Sequence, residues 1–239
     1  MRRSLVALSV MLLAACAAPE ASEEEGASSE NAIIPEMQDG SAEEFPEAVQ
    51  ILHGNGEDYC TGVLVSDRLV LGAAHCIWGN AYTIKAPHAP GAPTRRVVSS
   101  RVITRDYSRD VAAPDVGVLV LDAPITLPQY AVPTDISREV DEGRTFEGIA
   151  IGRERAARTA PLVRSKEMPI TSGKPFGYTT GLRTPYFSSG GDSGGPLFLV
   201  ENGRVTHKVV GVERNPEPDA NADWHTRVDA AVLALIARR

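Results

Sequence analysis

The sequence predicts an all-β fold, and two observations carry that expectation. The chain of 239 residues combines 43% apolar residues with 21 Gly and 17 Pro, a composition that suits many short strands joined by tight turns. Its apolar runs are short, β-branched and interrupted by Gly and Asp, which is the strand signature. At this length the chain is one large all-β unit or two small ones, because barrels and sandwiches reach this size as single domains.

Taken in order, residues 48–52 and 59–71 read as strands, with Asp67-Arg68 as a turn inside the second run. His75 follows on a short turn or helical piece. Residues 97–103 and 116–121 continue the first half, and Asp115 stands at the start of the last strand, after Pro114. The proline-punctuated stretch 127–133 reads as a crossing between halves. Strands are then expected over 145–151, 162–170, 196–200 and 206–213. At the end, Val228, Val232, Leu235 and Ile236 fall at helical spacing, with Asp229 before them and Arg238 and Arg239 after, complementing the helix dipole.

The N-terminal region has a different character. Arg2 and Arg3 precede an apolar run from Leu5 to Ala15 that is too short to span a membrane, which reads as a targeting signal. Residues 20–47 carry ten acids and no Lys or Arg, and residues 16–32 read as a solvated acidic tether. The net charge of −7 is concentrated there, and no basic stripe exists to meet phosphates, so no nucleic-acid partner is expected. His53, His88, His207 and His225 are scattered without ligand spacing, so neither a metal nor another cofactor is expected.

Three segments carry the chemistry: Leu71-Gly72-Ala73-Ala74-His75-Cys76, then Asp115-Val116-Gly117-Val118-Leu119-Val120-Leu121, then Gly190-Gly191-Asp192-Ser193-Gly194-Gly195-Pro196-Leu197. A neutral serine hydroxyl is a poor nucleophile, and His75 would take its proton. Asp115 would hold the imidazole tautomer and stabilise the imidazolium. Gly191 and Ser193 are the expected backbone donors to a developing oxyanion, one such donor being worth about 3 to 4 kcal/mol of barrier. In this order, over about residues 33–239, the chain resembles the chymotrypsin-fold, trypsin-like serine proteases.

The resemblance implies two six-stranded antiparallel β-barrels (about 33–130 and 131–228), a helix over 229–238, and a site in the cleft between the barrels. It implies a cystine between Cys60 and Cys76, an acyl-enzyme on Ser193, and a protein or peptide substrate cut by a chain acting as a monomer. It also implies activation by a cut that frees Ile33 to pair with Asp192. However, Ile33-Ile34-Pro35-Glu36 lacks the family's Gly-Gly, and the other reading is a linker end with no cut. The position six before the nucleophile is Phe187 rather than an acid, so cleavage after Arg or Lys is not supported. Phe187 either floors an apolar pocket or fills it, with Ser188 and His225 bordering the same pocket. Pro216 stands where relatives carry a glycine that pairs with substrate backbone, and it has no N–H to offer.

Leu13-Ala14-Ala15-Cys16 resembles the lipobox of bacterial lipoproteins, which implies lipidation of Cys16, a membrane attachment through that lipid, and export to the envelope, outer-membrane-anchored or secreted. The alternative is an ordinary signal peptide cut after Ala17 or Ala18. A catalytically silent binding module on the envelope is the rival functional reading. Retention of His75, Asp115 and Ser193 together argues against it.

Overall fold

The computed structural model describes residues 33–54, 59–78, 81–154 and 159–238. The signal segment 1–15, the tether 16–32 and Cys16 lie outside the described residues. In chain order the strands are β1 (Gln38–Ser41), β2 (Ala48–His53), β3 (Tyr59–Leu64), β4 (Leu69–Gly72), β5 (Tyr82–Lys85), β6 (Thr94–Val102) and β7 (Gly117–Leu121). They continue with β8 (Val132–Pro133), the short helix α1 (Ser137–Asp141), β9 (Phe146–Arg153), β10 (Leu162–Ser165) and β11 (Met168–Ser172). The last elements are β12 (Gly181–Thr184), β13 (Pro196–Glu201), β14 (Arg204–Glu217), β15 (Ala222–Arg227) and the helix α2 (Ala230–Ala237).

The first barrel closes in the order β2-β3-β4-β7-β6-β5. Every residue of β2 is buried, because one face fills this barrel and the other meets the second half, where the Gln50 amide donates to Ala160 O at 2.6 Å. By contrast β5 alternates buried and half-buried positions, the pattern of a strand with one wet face. The Ile51 side chain lies across two neighbouring strands, and a Cβ at Gly62 or Gly72 would sit 3.0 Å from its Cδ1. Glycine at both positions is what lets that side chain enter.

The second barrel runs β9-β11-β12-β15-β14-β13, and β13 closes it by pairing back onto β9 through Leu197 and Ala150. β10 extends this sheet from the far half of β9, and β1 pairs with β10. Residues 38–41 therefore belong to the second barrel's sheet although they precede the first barrel in sequence. The run 162–170, expected as one strand, is two. At the break the Ser165 hydroxyl accepts from Ala150 N at 2.9 Å and donates to Lys166 O at 2.8 Å, replacing a ladder bond with a side chain and letting the chain turn along β9.

The first barrel's core extends into the second half, while Ile170, Leu182, Leu197 and Val210 belong to a separate core in the second barrel. Phe45 stacks on Phe198 with centroids 5.0 Å apart, and one continuous buried cluster reaches from Leu71 and Leu119 to Phe198 and Val209. Residues before α1 make the crossing, where β8 adds briefly in parallel to β14. The carboxylate of Asp229 accepts from Ala231 N and Val232 N, capping α2. Val232 and Leu235 then bury against the first barrel, so the C-terminal helix binds the chain's end to its beginning.

Cys60, on β3, and Cys76, on the turn after β4, form a disulfide with Cα atoms 6.3 Å apart and a sequence separation of 16. By chain entropy, closing a loop of this size is worth about 3 kcal/mol. The double substitution Cys60→Ala/Cys76→Ala should lower the unfolding free energy by about that amount, read from urea denaturation of the oxidised wild type and the variant.

Candidate active site

His75 sits on the single 3-10 turn Ala74–Cys76 that follows β4, and the disulfide fixes the far end of that turn. Asp115 lies just before β7 and is 2% exposed. Its Oδ1 accepts from the backbone N–H of His75 at 2.9 Å, and its Oδ2 lies 2.6 Å from His75 Nδ1. A carboxylate can only accept, so Nδ1 carries the proton and Nε2 keeps its lone pair. One carboxylate thus sets the position and the tautomer of the imidazole. Asp115 is itself held by the second barrel: its N–H donates to Thr226 Oγ1 at 3.0 Å, and that hydroxyl donates to Asp115 O at 3.1 Å.

Ser193 lies in the turn between β12 and β13, where Gly191 and Gly194 have φ of +100° and +85°. Those values favour glycine, and at Gly194 a Cβ would also fall 2.3 Å from Thr61 O. Thr61, on β3, binds this turn twice: its N–H donates to Ser193 O at 2.9 Å and its hydroxyl to Gly191 O at 2.9 Å. The N–H groups of Gly191 and Ser193 have no acceptor among the described residues. Two backbone donors without acceptors, on the turn that carries a serine hydroxyl, are the groups an oxyanion site requires. Gly194 N and Glu213 N complete the support, bonding to Glu213 O at 2.8 Å and Gly195 O at 2.9 Å.

His75, Asp115 and Ser193 line one cleft of about 470 Å³, together with Tyr107, Val111, Tyr178, Arg214, Asn215 and Pro216. His75 and Asp115 come from the first barrel and Ser193 from the second, so the cleft exists only where the barrels meet. The Ser193 hydroxyl has no hydrogen-bond partner among the described residues, a common state of such sites before substrate binds. Pro216, in β14, is part of the cleft wall and presents no N–H there.

Phe187, Ser188 and His225 lie together, behind the cleft rather than along it. Phe187 is 1% exposed and stacks on the His225 ring at 5.8 Å with 10° between planes, so its side chain occupies the interior. His225 is fully enclosed, its Nε2 3.1 Å from Thr184 Oγ1, and burial pulls its pKa down to about 3, so it is neutral. Asp223 accepts from Ser188 N at 2.9 Å and from Phe187 N, holding this segment from β15.

The Ser188 hydroxyl lies 2.6 Å from Asp223 Oδ1 and 3.0 Å from Glu213 Oε1. One hydroxyl has a single proton, so it donates to one carboxyl and must accept from the other. Asp223 already receives two N–H bonds that favour its charge, while burial and the Asp223 charge push Glu213 well above the carboxylate range. Glu213 is therefore the protonated partner. Burial also lifts Asp192 to about 8 and Asp223 to about 6.

Sequence reasoning missed Thr61, Thr226, Glu213, Asp223 and Arg214. The acids leave a faint signal, each being the sole charge in an otherwise apolar strand triplet, Val212-Glu213 after Gly211 and Asp223 between Ala222 and Trp224. Arg214 spans the cleft's end: its guanidinium donates to the carbonyls of Tyr107 at 2.7 Å, Val111 at 2.9 Å and Ala113 at 3.0 Å, tying the segment before Asp115 to β14. Cys60, His75 and Cys76 bring ligating atoms within 4.8 Å of one another. The two sulfurs are bonded to each other, leaving no thiolate for a metal.

The buried acids set a pH dependence. A carboxyl whose folded pKa is raised holds a proton that the unfolded chain has released, so stability falls as pH climbs toward the folded value. His225 acts oppositely, but only below its unfolded pKa of about 6.5. Between pH about 6.5 and 8 the acids act alone, through Asp192 and Glu213. Urea midpoints should fall across that window, and Glu213→Gln, which keeps a donor for Ser188, should flatten the fall.

The Trypsin family model matches residues 34–233. Among curated proteins, the chain is 27% identical over 208 residues to "Serine protease SP24D" of Anopheles gambiae, covering 77% of this chain and 73% of that one. It is 22% identical over 198 residues to "Trypsin" of Saccharopolyspora erythraea, covering 73% and 83%. Among solved structures, the scabies mite inactivated protease paralogue S-D1 superposes with a TM-score of 0.64 at 17% identity, covering 84% of this chain and 94% of that one. With two closed barrels, a C-terminal helix and a family match over most of its length, this chain belongs to the Trypsin family of serine proteases.

Proposed function

We propose that the chain is a serine endopeptidase that cuts peptide bonds through an acyl-enzyme on Ser193. The observation that carries this reading is the double hold of Asp115 on His75, beside a serine whose turn leaves two backbone N–H groups without acceptors. His75 Nε2 takes the Ser193 proton as Oγ attacks the substrate carbonyl carbon. The carbonyl oxygen becomes an oxyanion, which the Gly191 and Ser193 N–H groups receive. The imidazolium, stabilised by Asp115, passes its proton to the leaving amine as the C–N bond breaks. Water, deprotonated by the same imidazole, then releases the acid and restores Ser193.

Substrate is read by a cleft with aromatic and apolar walls, Tyr107, Val111 and Tyr178. The Phe187 ring fills the interior behind it, so no carboxylate six residues before Ser193 awaits a basic side chain. The Cys60–Cys76 disulfide supports work in an oxidising compartment outside the cytosol. Together with Leu13-Ala14-Ala15-Cys16, it supports export and attachment to the envelope by a lipid on Cys16. The enclosed Phe187 is the observation that favours a second reading, a silent module that holds a protein in the cleft uncut.

A fluorophosphonate probe should label Ser193 in the wild type and leave Ser193→Ala and His75→Ala unlabelled. Asp115→Asn should slow peptide turnover by about 10⁴. A folded wild type that takes no probe even after proteolytic trimming near Ile33, and a bound protein recovered intact, would replace this reading with the silent module. Radiolabelled palmitate should enter the wild type in a lipoprotein-processing bacterial host and be lost in Cys16→Ser.

A further inference from the structure

Glu213 is bound to the Ser193 turn by its main chain and to the segment before that turn by its side chain. Its carbonyl accepts from Gly194 N at 2.8 Å and its N–H donates to Gly195 O at 2.9 Å, so β14 holds both residues that follow Ser193. Its Oε1 lies 3.0 Å from Ser188 Oγ, and Asp223 Oδ1 lies 2.6 Å from the same hydroxyl oxygen. All three side chains are buried. What joins them to the turn is therefore a set of protons that solvent does not share.

Counting those protons fixes the state of the trio. Ser188 has one hydroxyl proton and two carboxyl oxygens within reach, so one carboxyl must carry a proton of its own and donate it to Ser188 Oγ. Asp223 Oδ2 already accepts from the N–H groups of Phe187 and Ser188, bonds that favour a carboxylate. Glu213 Oε2 is buried and meets no donor among the described residues. In a neutral acid that oxygen lacks one bond; in an anion it would be bare buried charge. The proton therefore sits on Glu213 Oε1. The groups facing Glu213 add to this: Asp223 from β15, Asp192 from the Ser193 turn and Asp115 from the segment before β7 all disfavour a charge on it. His225, its register partner on β15, is neutral, and Arg214, next in β14, spends its guanidinium on the carbonyls of Tyr107, Val111 and Ala113.

We propose that Glu213 is a positioning residue whose proton keeps the Ser193 turn in its reactive shape. With that proton in place, β14, Ser188 and Asp223 form one hydrogen-bonded block behind the turn. Its loss to solvent leaves two carboxylates on one hydroxyl. The anions repel, Glu213 parts from Ser188, and the strand that holds Gly194 and Gly195 shifts with it, which spoils the alignment of the Gly191 and Ser193 N–H groups. Reaction at Ser193 then fails at alkaline pH, and the failure belongs to Glu213. This rests on the proposed hydrolase reading, with Ser193 as the nucleophile.

Fluorophosphonate labelling rates of the full-length protein, or of every variant trimmed near Ile33 if the uncut chain takes no probe, test it across pH with circular dichroism at each point. Wild type should lose rate above an alkaline midpoint by about tenfold per pH unit, the slope of a single proton. Glu213→Gln keeps a donor for Ser188 and cannot ionise, so its midpoint should lie higher by about one pH unit or more, each profile being scaled to its own plateau. Asp223→Asn removes the competing charge and frees the Ser188 proton for Glu213, and its midpoint should rise as well. Glu213→Ala, which offers Ser188 no donor, should have a plateau about tenfold below that of Glu213→Gln, the scale of one buried hydrogen bond. A merely structural role would lower rates at every pH and leave the midpoint in place. Independently of activity, the infrared difference between wild type and Glu213→Gln at neutral pH should contain a protonated-carboxyl band. A midpoint unmoved in folded Glu213→Gln, a wild type with no alkaline fall, or a missing carboxyl band overturns the proposal. Absence of labelling in every folded form, trimmed wild type included, is instead the failure of the hydrolase reading and removes the proposal with it.

Discussion

A single threonine on the first barrel holds the turn on which the second barrel carries Ser193. Thr61 uses its amide on Ser193 O and its hydroxyl on Gly191 O, each at 2.9 Å. Those two bonds fix the peptide planes that flank Ser193; the N–H groups of those planes, from Asp192 and Gly194, bond to Ser189 O at 3.3 Å and Glu213 O at 2.8 Å. The reciprocal tie runs from the second barrel to the first, where Thr226 clips the backbone of Asp115. His75 with Asp115, and Ser193, therefore sit on separate barrels, yet each is tied to the other's barrel. The shared core around Phe45 and Phe198 keeps the two bodies from sliding and so preserves both ties.

Behind the cleft the protein has solved a costly problem in charge burial. Asp192, Glu213 and Asp223 are all enclosed, an arrangement that would be untenable if each carried full charge. Sharing one hydroxyl forces a proton onto Glu213, N–H donors stabilise Asp223, and Asp192 accepts from the backbone N–H groups of Arg153 and Ser189. Phe187 and the neutral His225 close the space with a stacked pair. The region thus backs the turn that carries Ser193, and the open side of the cleft is lined by Tyr107, Val111, Tyr178 and Pro216.

Much of the fold was legible in local pattern, and its misreadings have physical causes. The β2 and β7 runs stood out because both of their faces are buried and apolar. β5, β12 and β15 went unread because they are short and carry polar residues such as Lys85, Arg183 and His225, whose partners come from distant strands. The stretch 162–170 looked like one strand because its apolar residues continue, while the break depends on Ser165 finding Ala150 across the sheet. The site divides the same way: His75, Asp115 and Ser193 are visible as residue types in characteristic company, whereas Thr61 and Thr226 are ordinary strand threonines until the barrels meet.

By itself the sequence determined the chemistry on offer, namely an imidazole, a carboxylate and a hydroxyl in glycine-rich surroundings, two cysteines close enough to close a small loop, and a capped terminal helix. These are properties of residue identity and of contacts a few positions apart. Tertiary structure alone decided that Phe187 is enclosed and stacked on His225, that Ser188 is shared by two acids, and that Arg153 runs beneath Gly191. Such outcomes depend on which strands pair and in what register, and burial follows from that pairing, so a charge or ring acquires its meaning only when remote backbone closes around it.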